Sequence, residues 1–286
     1  MNVKTASTLI GDDIFFNFIE TDYNDPGLDT KLIQKIHTGE LDGVVIKGVM
    51  SPEEVDEMRS LMPSIPESEK LNTRTGQTFP VPFATITDSG ERLDNYMQKV
   101  KTFRALPFGK IVDRLKTFFN RIGEGYQVGV PHTVTTDEEV APGNFRIFLP
   151  DYGGLYVHCG YLLQSQSPHY YTVVSEMAKE GQLSYFMVLQ YPEDGGELTI
   201  YDMLWKDIQE KDDQAENEYV IDPQGNRVYL KDVKKFAVKP NPGDVLVFSG
   251  GPIWHRVEDI KGTRPRITFG GFINFTQDDK GFYYWS

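Results

Sequence analysis

Between residues 109 and 122 apolar side chains return every three or four positions, at Ile111, Leu115, Phe118 and Phe119. That is the period of an amphipathic helix, and Gly123 follows as a stop. A second helix is expected over about 91–104. Further upstream, "MSPEEVDEM" places Ser51 as a cap, Pro52 at the first helical position and Glu54 three residues after the cap, the signature of a capping box. Residues 27–122 therefore read mainly as helices. From about 140 onward the pattern shortens to runs punctuated by Gly and Pro: "NFRIFLP", "GLYVHCGYLL", "QLSYFMVLQYP", "GELTIYDM", "KFAVKP", "DVLVFSGG" and "RITFGGFINF". Runs of this length and spacing indicate an antiparallel sandwich or jelly roll. One helical interruption is expected near 170–181, and "VIDPQGNRVYL" reads as a hairpin turning at Pro223 to Asn226. No repeat, low-complexity tract or linker divides the chain, so one α+β domain is expected over 1–286: mainly helical support over 1–139 and a β-core over 140–286.

Charge narrows the function. With 42 Asp plus Glu against 29 Lys plus Arg, the chain lacks the basic surface that nucleic acid or an anionic membrane requires, so neither is an expected partner. Aromatic residues make up 13% of the chain, which suits β-structure around an apolar pocket and a small-molecule substrate. Cys159 is the single cysteine, so no intrachain disulfide forms and a reducing, cytoplasmic setting is the simplest expectation. No run is long enough to span a bilayer, and the N-terminus lacks the pattern of a signal peptide.

Five histidines are candidates for chemistry: His37, His132, His158, His169 and His255. His37, His132 and His169 lie in polar or Pro-Gly-rich surroundings and read as surface or packing residues. His158 and His255 each belong to an apolar strand of the β-core, where a histidine is either a satisfied core residue or a ligand. Residues two apart on a strand share a face. Arg266 and Thr268 in "RITFGGF" thus point together into whatever the sheet encloses. A buried arginine needs an anion, either a protein carboxylate or a small dicarboxylate held through a bidentate pair. In "LYVHCGY" the same rule places Tyr156, His158 and Gly160 on one face, with Val157 and Cys159 on the other, and Cys159 reads as core packing. A non-haem iron site of the two-His, one-carboxylate kind would carry Asp or Glu at position 160. Glycine stands there instead, and neither Asp151 nor Glu176 has the spacing that would present a substitute beside His158.

The order "HxG", "QLSYF…PEDGGELTIYD", "PGDVLVF…HRV…G.RPRITFGGF" and "YYWS" resembles the free-standing iron(II)/2-oxoglutarate halogenases that act on hapalindole-type alkaloids. It is similar also to related hydroxylases of acylated amino acids, which keep Asp at the position of Gly160. The resemblance is strongest over 140–286 and weaker over 40–58, and 70–140 matches poorly. It implies a double-stranded β-helix (jelly-roll, cupin-like) core with the helical half as support and substrate cap. It implies Fe(II) held by His158 and His255, 2-oxoglutarate chelating the metal with its far carboxylate on Arg266 beside Thr268, and O2 as oxidant. Chloride or bromide would take the position left by the missing carboxylate, restoring both ligand count and charge, and Gly160 has no Cβ to crowd a large halide. Ser184 in "QLSYF" is the candidate for orienting the reacting groups, or else a hydroxyl bonded to neighbouring backbone. Arg146 in "NFRIFLP" is a candidate for a charge facing 2-oxoglutarate, or else the partner of a surface acid.

Three functions follow from these residues. The first is a halogenase acting on an unactivated aliphatic carbon of a free small molecule, with no carrier protein. The second is a 2-oxoglutarate-dependent hydroxylase or desaturase with a two-His iron site. The third is a metal-free jelly-roll module that binds a small ligand. The Phe- and Pro-rich stretch "GQTFPVPFATITDS" at 76–89 is either an apolar lid over a hydrophobic substrate or ordinary core.

Overall fold

The computed structural model describes residues 8–11, 14–83, 90–166, 177, 180–208 and 217–286. Its largest element is a ten-stranded sheet. The strands run in the order Phe18–Asp22, Gly43–Lys47, Val245–Phe248, Leu183–Gln190, Arg266–Phe275, Asn144–Phe148, Gly76–Phe79, Leu71–Thr73. Gly281–Trp285 pairs with the second half of Arg266–Phe275 and carries Gln127–Gly129 beside it. A smaller sheet of four strands, Leu9–Ile10, Lys235–Val238, Leu198–Leu204 and Ile253–Val257, is packed against it.

Strand alternation explains how the layers stack. In Leu183–Gln190, Tyr185, Met187 and Leu189 join a core cluster with Ile33 and Ile36 of helix Leu32–His37, Met58 of helix Pro52–Leu61 and Leu115 and Phe118 of helix Gly109–Ile122. Phe186, on the opposite face, joins Leu246, Phe248, Leu198, Ile200, Phe236 and Ile253 in a cluster shared by the two sheets. The architecture is therefore helices, large sheet, small sheet, with two apolar interlayers. The helices over Gly90–Ala105 and Gly109–Ile122 coincide with those expected from periodicity. The capping box is formed: the Ser51 hydroxyl accepts from the Glu54 amide at 3.3 Å, and the Ser51 amide donates to Glu54 Oε2 at 2.9 Å. The expected hairpin is present as Tyr219–Ile221 paired with Arg227–Tyr229, its turn closed by Asp222 Oδ1 accepting from the amides of Gln224 and Asn226.

The structure corrects the sequence reading at two places and decides between two readings at a third. The N-terminal part is not simply helical support, because Gly43–Lys47 is an interior strand of the large sheet, and Leu71–Thr73 with Gly76–Phe79 extends its other side. Val44, Val45 and Ile46 are all fully buried. A strand covered on both faces shows a continuous apolar run without alternation, which periodicity does not separate from a helix. The second correction is that "GLYVHCGYLL" is not one strand. It makes a single antiparallel bridge at His158 and then turns into helix Gly160–Gln166. Third, Phe79 and Phe83 are fully buried, Phe83 edge-on to Trp285 at 5.9 Å, so these two are core and not lid. The helix expected over 170–181 and the lid residues 84–89 lie outside the described residues, apart from Met177, which bridges to Thr276, and residues 180 and 181. Among the described residues, no helix is long and apolar enough to cross a membrane.

Candidate active site between the two sheets

His158 and His255 come from opposite ends of the β-region and meet through backbone pairing. Each amide donates to the other's carbonyl at 2.9 Å, which brings the imidazole centroids to 4.4 Å. His158 Nδ1 lies 2.6 Å from the Tyr156 carbonyl oxygen, and His255 Nδ1 lies 2.8 Å from that of Ile253. A carbonyl only accepts, so each Nδ1 carries the proton and each Nε2 is left with its lone pair. Both rings are thereby set in the tautomer and orientation that a metal ligand needs. His255 is buried against the Phe248 ring. Burial, and after it the charge of Arg146, holds its pKa down at about 4, so it is neutral at physiological pH.

Gly160 stands two residues from His158, but on the first turn of a helix instead of further along a strand. Its amide donates to the Gly250 carbonyl at 2.8 Å. A Cβ at this position would lie 2.3 Å from Gln182 Oε1, 3.1 Å from Gly251 Cα and 3.2 Å from the Gly250 carbonyl oxygen. Among the described residues, no group of three or more His, Cys, Asp or Glu could hold a metal ion. Asp151 sits in an exposed turn whose amide bonds the Ile260 carbonyl, and Glu176 lies outside the described residues.

The wall facing the histidines carries two cations that form no ion pair with a carboxylate among the described residues. On Arg266–Phe275, Ile267, Phe269 and Ile273 belong to the helix-side core, so Arg266 and Thr268 face the small sheet. By cross-strand register Arg146 is the direct partner of Thr268. The Arg266 guanidinium sits 5.2 Å from the ring of Phe186 and 5.8 Å from those of Phe148 and Tyr191. Its bond to Thr268 Oγ1 is long at 3.5 Å, and its Nε has no hydrogen-bond partner. Arg146 bonds the side chain of Asn144 at 3.3 Å. Burial first, then the charge of Arg266, brings the Arg146 pKa down to about 10. Both stay cationic at neutral pH, and among the described residues neither is ion-paired with a carboxylate. Burying two like charges is costly without an anion. Glu197 acts on Arg266 at a distance and partly offsets its charge, but it makes no ion pair with it and leaves its own Oε2 unbonded. Arg146, Ser184, Phe186 and His158 keep partial solvent contact on faces that otherwise pack inward, which marks the gap between the sheets as reachable by small molecules.

Ser184 is the cross-strand partner of Phe248, and a Cβ added at Gly250 would meet its Oγ at 2.2 Å. The serine thus lies against the same Gly250 that holds the Gly160 amide. Cys159 is buried among Val157, Leu162 and Trp254, with its thiol pushed up to about 12 by burial. His37 stacks on Phe275 and contacts Asp279, and His132 bonds Asp137 in an exposed loop. Neither approaches the His158–His255 pair by any contact. His169 lies outside the described residues. Gln182, which the sequence reading did not single out, is 2% exposed and its Oε1 has no hydrogen-bond partner. The signal for it was its i, i+2 relation to Ser184.

Neutral imidazoles side by side are suited to a metal, and buried guanidiniums without an ion-paired carboxylate among the described residues are suited to a small dicarboxylate; the class that combines these on a β-sandwich is the iron- and 2-oxoglutarate-dependent oxidoreductases. Sequence comparison narrows the class. The family described as carrier-protein-independent halogenase WelO5 matches residues 15–286, and the chain belongs to it. It is therefore an enzyme, which sets aside the metal-free binding module. No curated protein matches the chain. Among solved structures, an N-substituted L-amino acid dioxygenase from Burkholderia ambifaria AMMD is 16% identical with a TM-score of 0.52, covering 89% of this chain and 90% of that one. An N-substituted L-amino acid dioxygenase of the same organism in complex with alpha-KG is 17% identical with a TM-score of 0.50 and the same coverage. At these identities the likeness is one of fold.

Proposed function

We propose that the enzyme places chlorine or bromine on an unactivated aliphatic carbon of a free small molecule, consuming O2 and 2-oxoglutarate and releasing succinate and CO2. The observation that carries this reading is the glycine beside a histidine pair already set for metal binding. When bound, iron(II) with 2-oxoglutarate and O2 supplies hydrogen abstraction from the substrate and return of a halogen to the carbon.

The residues present fit those groups, each through its own chemistry. His158 and His255 would hold the metal through Nε2, their orientation set by the carbonyls of Tyr156 and Ile253. Arg266, with Thr268 beside it, would take the far carboxylate of 2-oxoglutarate, and its aromatic surroundings exclude competing water. Arg146 feels the charge of Arg266 and is felt by His255, and from that place it would offset the dianion's charge near the metal end. Gly160 would leave a coordination position and its negative charge to a halide. Ser184, held against Gly250, would orient the reacting groups, and the geometry of that orientation decides between halogenation and hydroxylation.

The two sheets would form a double-stranded β-helix within one domain. The free, buried Cys159 supports a cytoplasmic setting. The decisive experiment is anaerobic reconstitution with Fe(II), 2-oxoglutarate and chloride or bromide, then exposure to O2 with candidate substrates and mass spectrometry of the products. Chlorinated or brominated product is expected. A native substrate that gains only oxygen would leave the two-His hydroxylase as the correct reading.

A further inference from the structure

We propose that Gln182 is the halide-binding residue of this site, donating an N–H bond from its side-chain amide to the anion beside Gly160. The inference rests on the halogenase reading above and concerns how this chain holds the ion once its carboxylate ligand is gone.

Gln182 lies immediately before strand Leu183–Gln190, two residues from Ser184. It is 2% exposed, and its carbonyl accepts from the Gly251 amide at 3.0 Å, which fixes its backbone against the same glycine turn that holds Gly160. The end of its side chain lies 2.3 Å from where a Cβ of residue 160 would be. The amide therefore occupies the approach that the side chain of an Asp or Glu ligand would use. In this rotamer Oε1 points there and no hydrogen bond satisfies it. A buried amide oxygen without a donor costs on the order of 1–3 kcal/mol, so a lasting arrangement of this kind needs a reason.

The two ends of a glutamine amide exchange by rotation about its last torsion, with little change in the volume filled. With Nε2 turned toward Gly160, the group becomes a donor facing the position that a halide would take. The anion then satisfies the amide, and the amide replaces part of the hydration that the anion loses on entering the site. The other groups against the space of a residue-160 Cβ are the backbone of Gly250 and Gly251. A glutamine is suited to this task because it donates without charge. A lysine would set a cation next to the metal that the histidines would hold, and an acid would repel the halide.

The test is a chloride titration of the anaerobic enzyme loaded with Fe(II) and 2-oxoglutarate, following the visible metal-to-ligand charge-transfer band, with bromide in a parallel series. Gln182→Met keeps length and removes the donor, and Gln182→Glu keeps the shape and adds a negative charge. Band intensity before halide addition reports whether each variant still folds and loads. Gln182→Met is expected to weaken chloride about tenfold or more, the loss of one charge-assisted hydrogen bond. Gln182→Glu is expected to abolish the chloride response, and both are expected to shift products from halogenated toward hydroxylated. Chloride affinity equal to wild type in both variants overturns the role of Gln182 while leaving the halogenase reading intact. A wild-type band that ignores chloride and bromide alike overturns the halide reading and this role with it.

Discussion

Replacing Gly160 with aspartate tests the geometry of the site without any metal. The new Cβ would meet Gln182 Oε1 at 2.3 Å, Gly251 Cα at 3.1 Å and the Gly250 carbonyl oxygen at 3.2 Å. The first contact is the end of a flexible side chain and is relieved if the amide swings away. The other two are backbone, and Gly250 and Gly251 are tied to Gly160, Tyr161 and Gln182 by hydrogen bonds of 2.8–3.0 Å. Crowding one buried position in this way costs roughly 1–3 kcal/mol. In a chain of this size that is a fall in Tm of about 2–5 °C. The assay is thermal or urea unfolding of the metal-free protein for wild type, Gly160→Asp, Gln182→Ala and the double variant. Because Gln182→Ala removes the contacted amide, the double variant is expected to lose less than the sum of the singles, with a coupling of about 1 kcal/mol. Additive losses, or a Gly160→Asp protein as stable as wild type, would refute the placement of Gln182 in the space of the absent carboxylate. With iron restored, Gly160→Asp is expected to hydroxylate instead of halogenate.

Arg266→Met is expected to raise the Kd for 2-oxoglutarate about tenfold to a hundredfold, measured by the charge-transfer band, because it removes a buried charge-assisted pair while filling the same aromatic slot. Stability of the metal-free protein should fall with pH below neutrality: His255 titrates at about 4 when folded against 6.5 in the unfolded chain. The unfolded state therefore binds the extra proton across that window, so stability is lost as pH drops through it, by at most ~3 kcal/mol. Urea midpoints at pH 7 and pH 4.5 check this, and a His255→Asn protein should show a shallower slope. Ser51→Ala should cost about 1 kcal/mol in the same urea experiment, since it dismantles the capping box without touching the site.

Much of the scaffold was legible because its rules are local. The helix Gly109–Ile122 announces itself by the spacing of Ile111, Leu115 and Phe118, the cap at Ser51 by the identity of Glu54, and the hairpin around Gly225 by its turn residues. The direction of Arg266 and Thr268 followed from period two, because their strand keeps an unbroken register with Asn144–Phe148 there, although its pairing with Leu183–Gln190 shifts between Ile267 and Thr268. The same rule failed at Gly160, where a single bridge at His158 gives way to a helix. Periodicity assumes that a segment keeps one conformation, and the change was imposed by the Gly250–Gly251 turn, some ninety residues later in the chain.

What the sequence determined by itself was an inventory: two histidines in apolar β-context, an arginine that must face inward, and a glycine where a ligand carboxylate is expected. Tertiary structure alone decided how these meet. It paired His158 with His255 through their backbones, left Arg146 and Arg266 without an ion-paired carboxylate among the described residues, and brought the amide of Gln182 to the vacancy at Gly160. Those are relations between distant segments, and they arise from sheet register and burial, which act only once the layers have closed on one another.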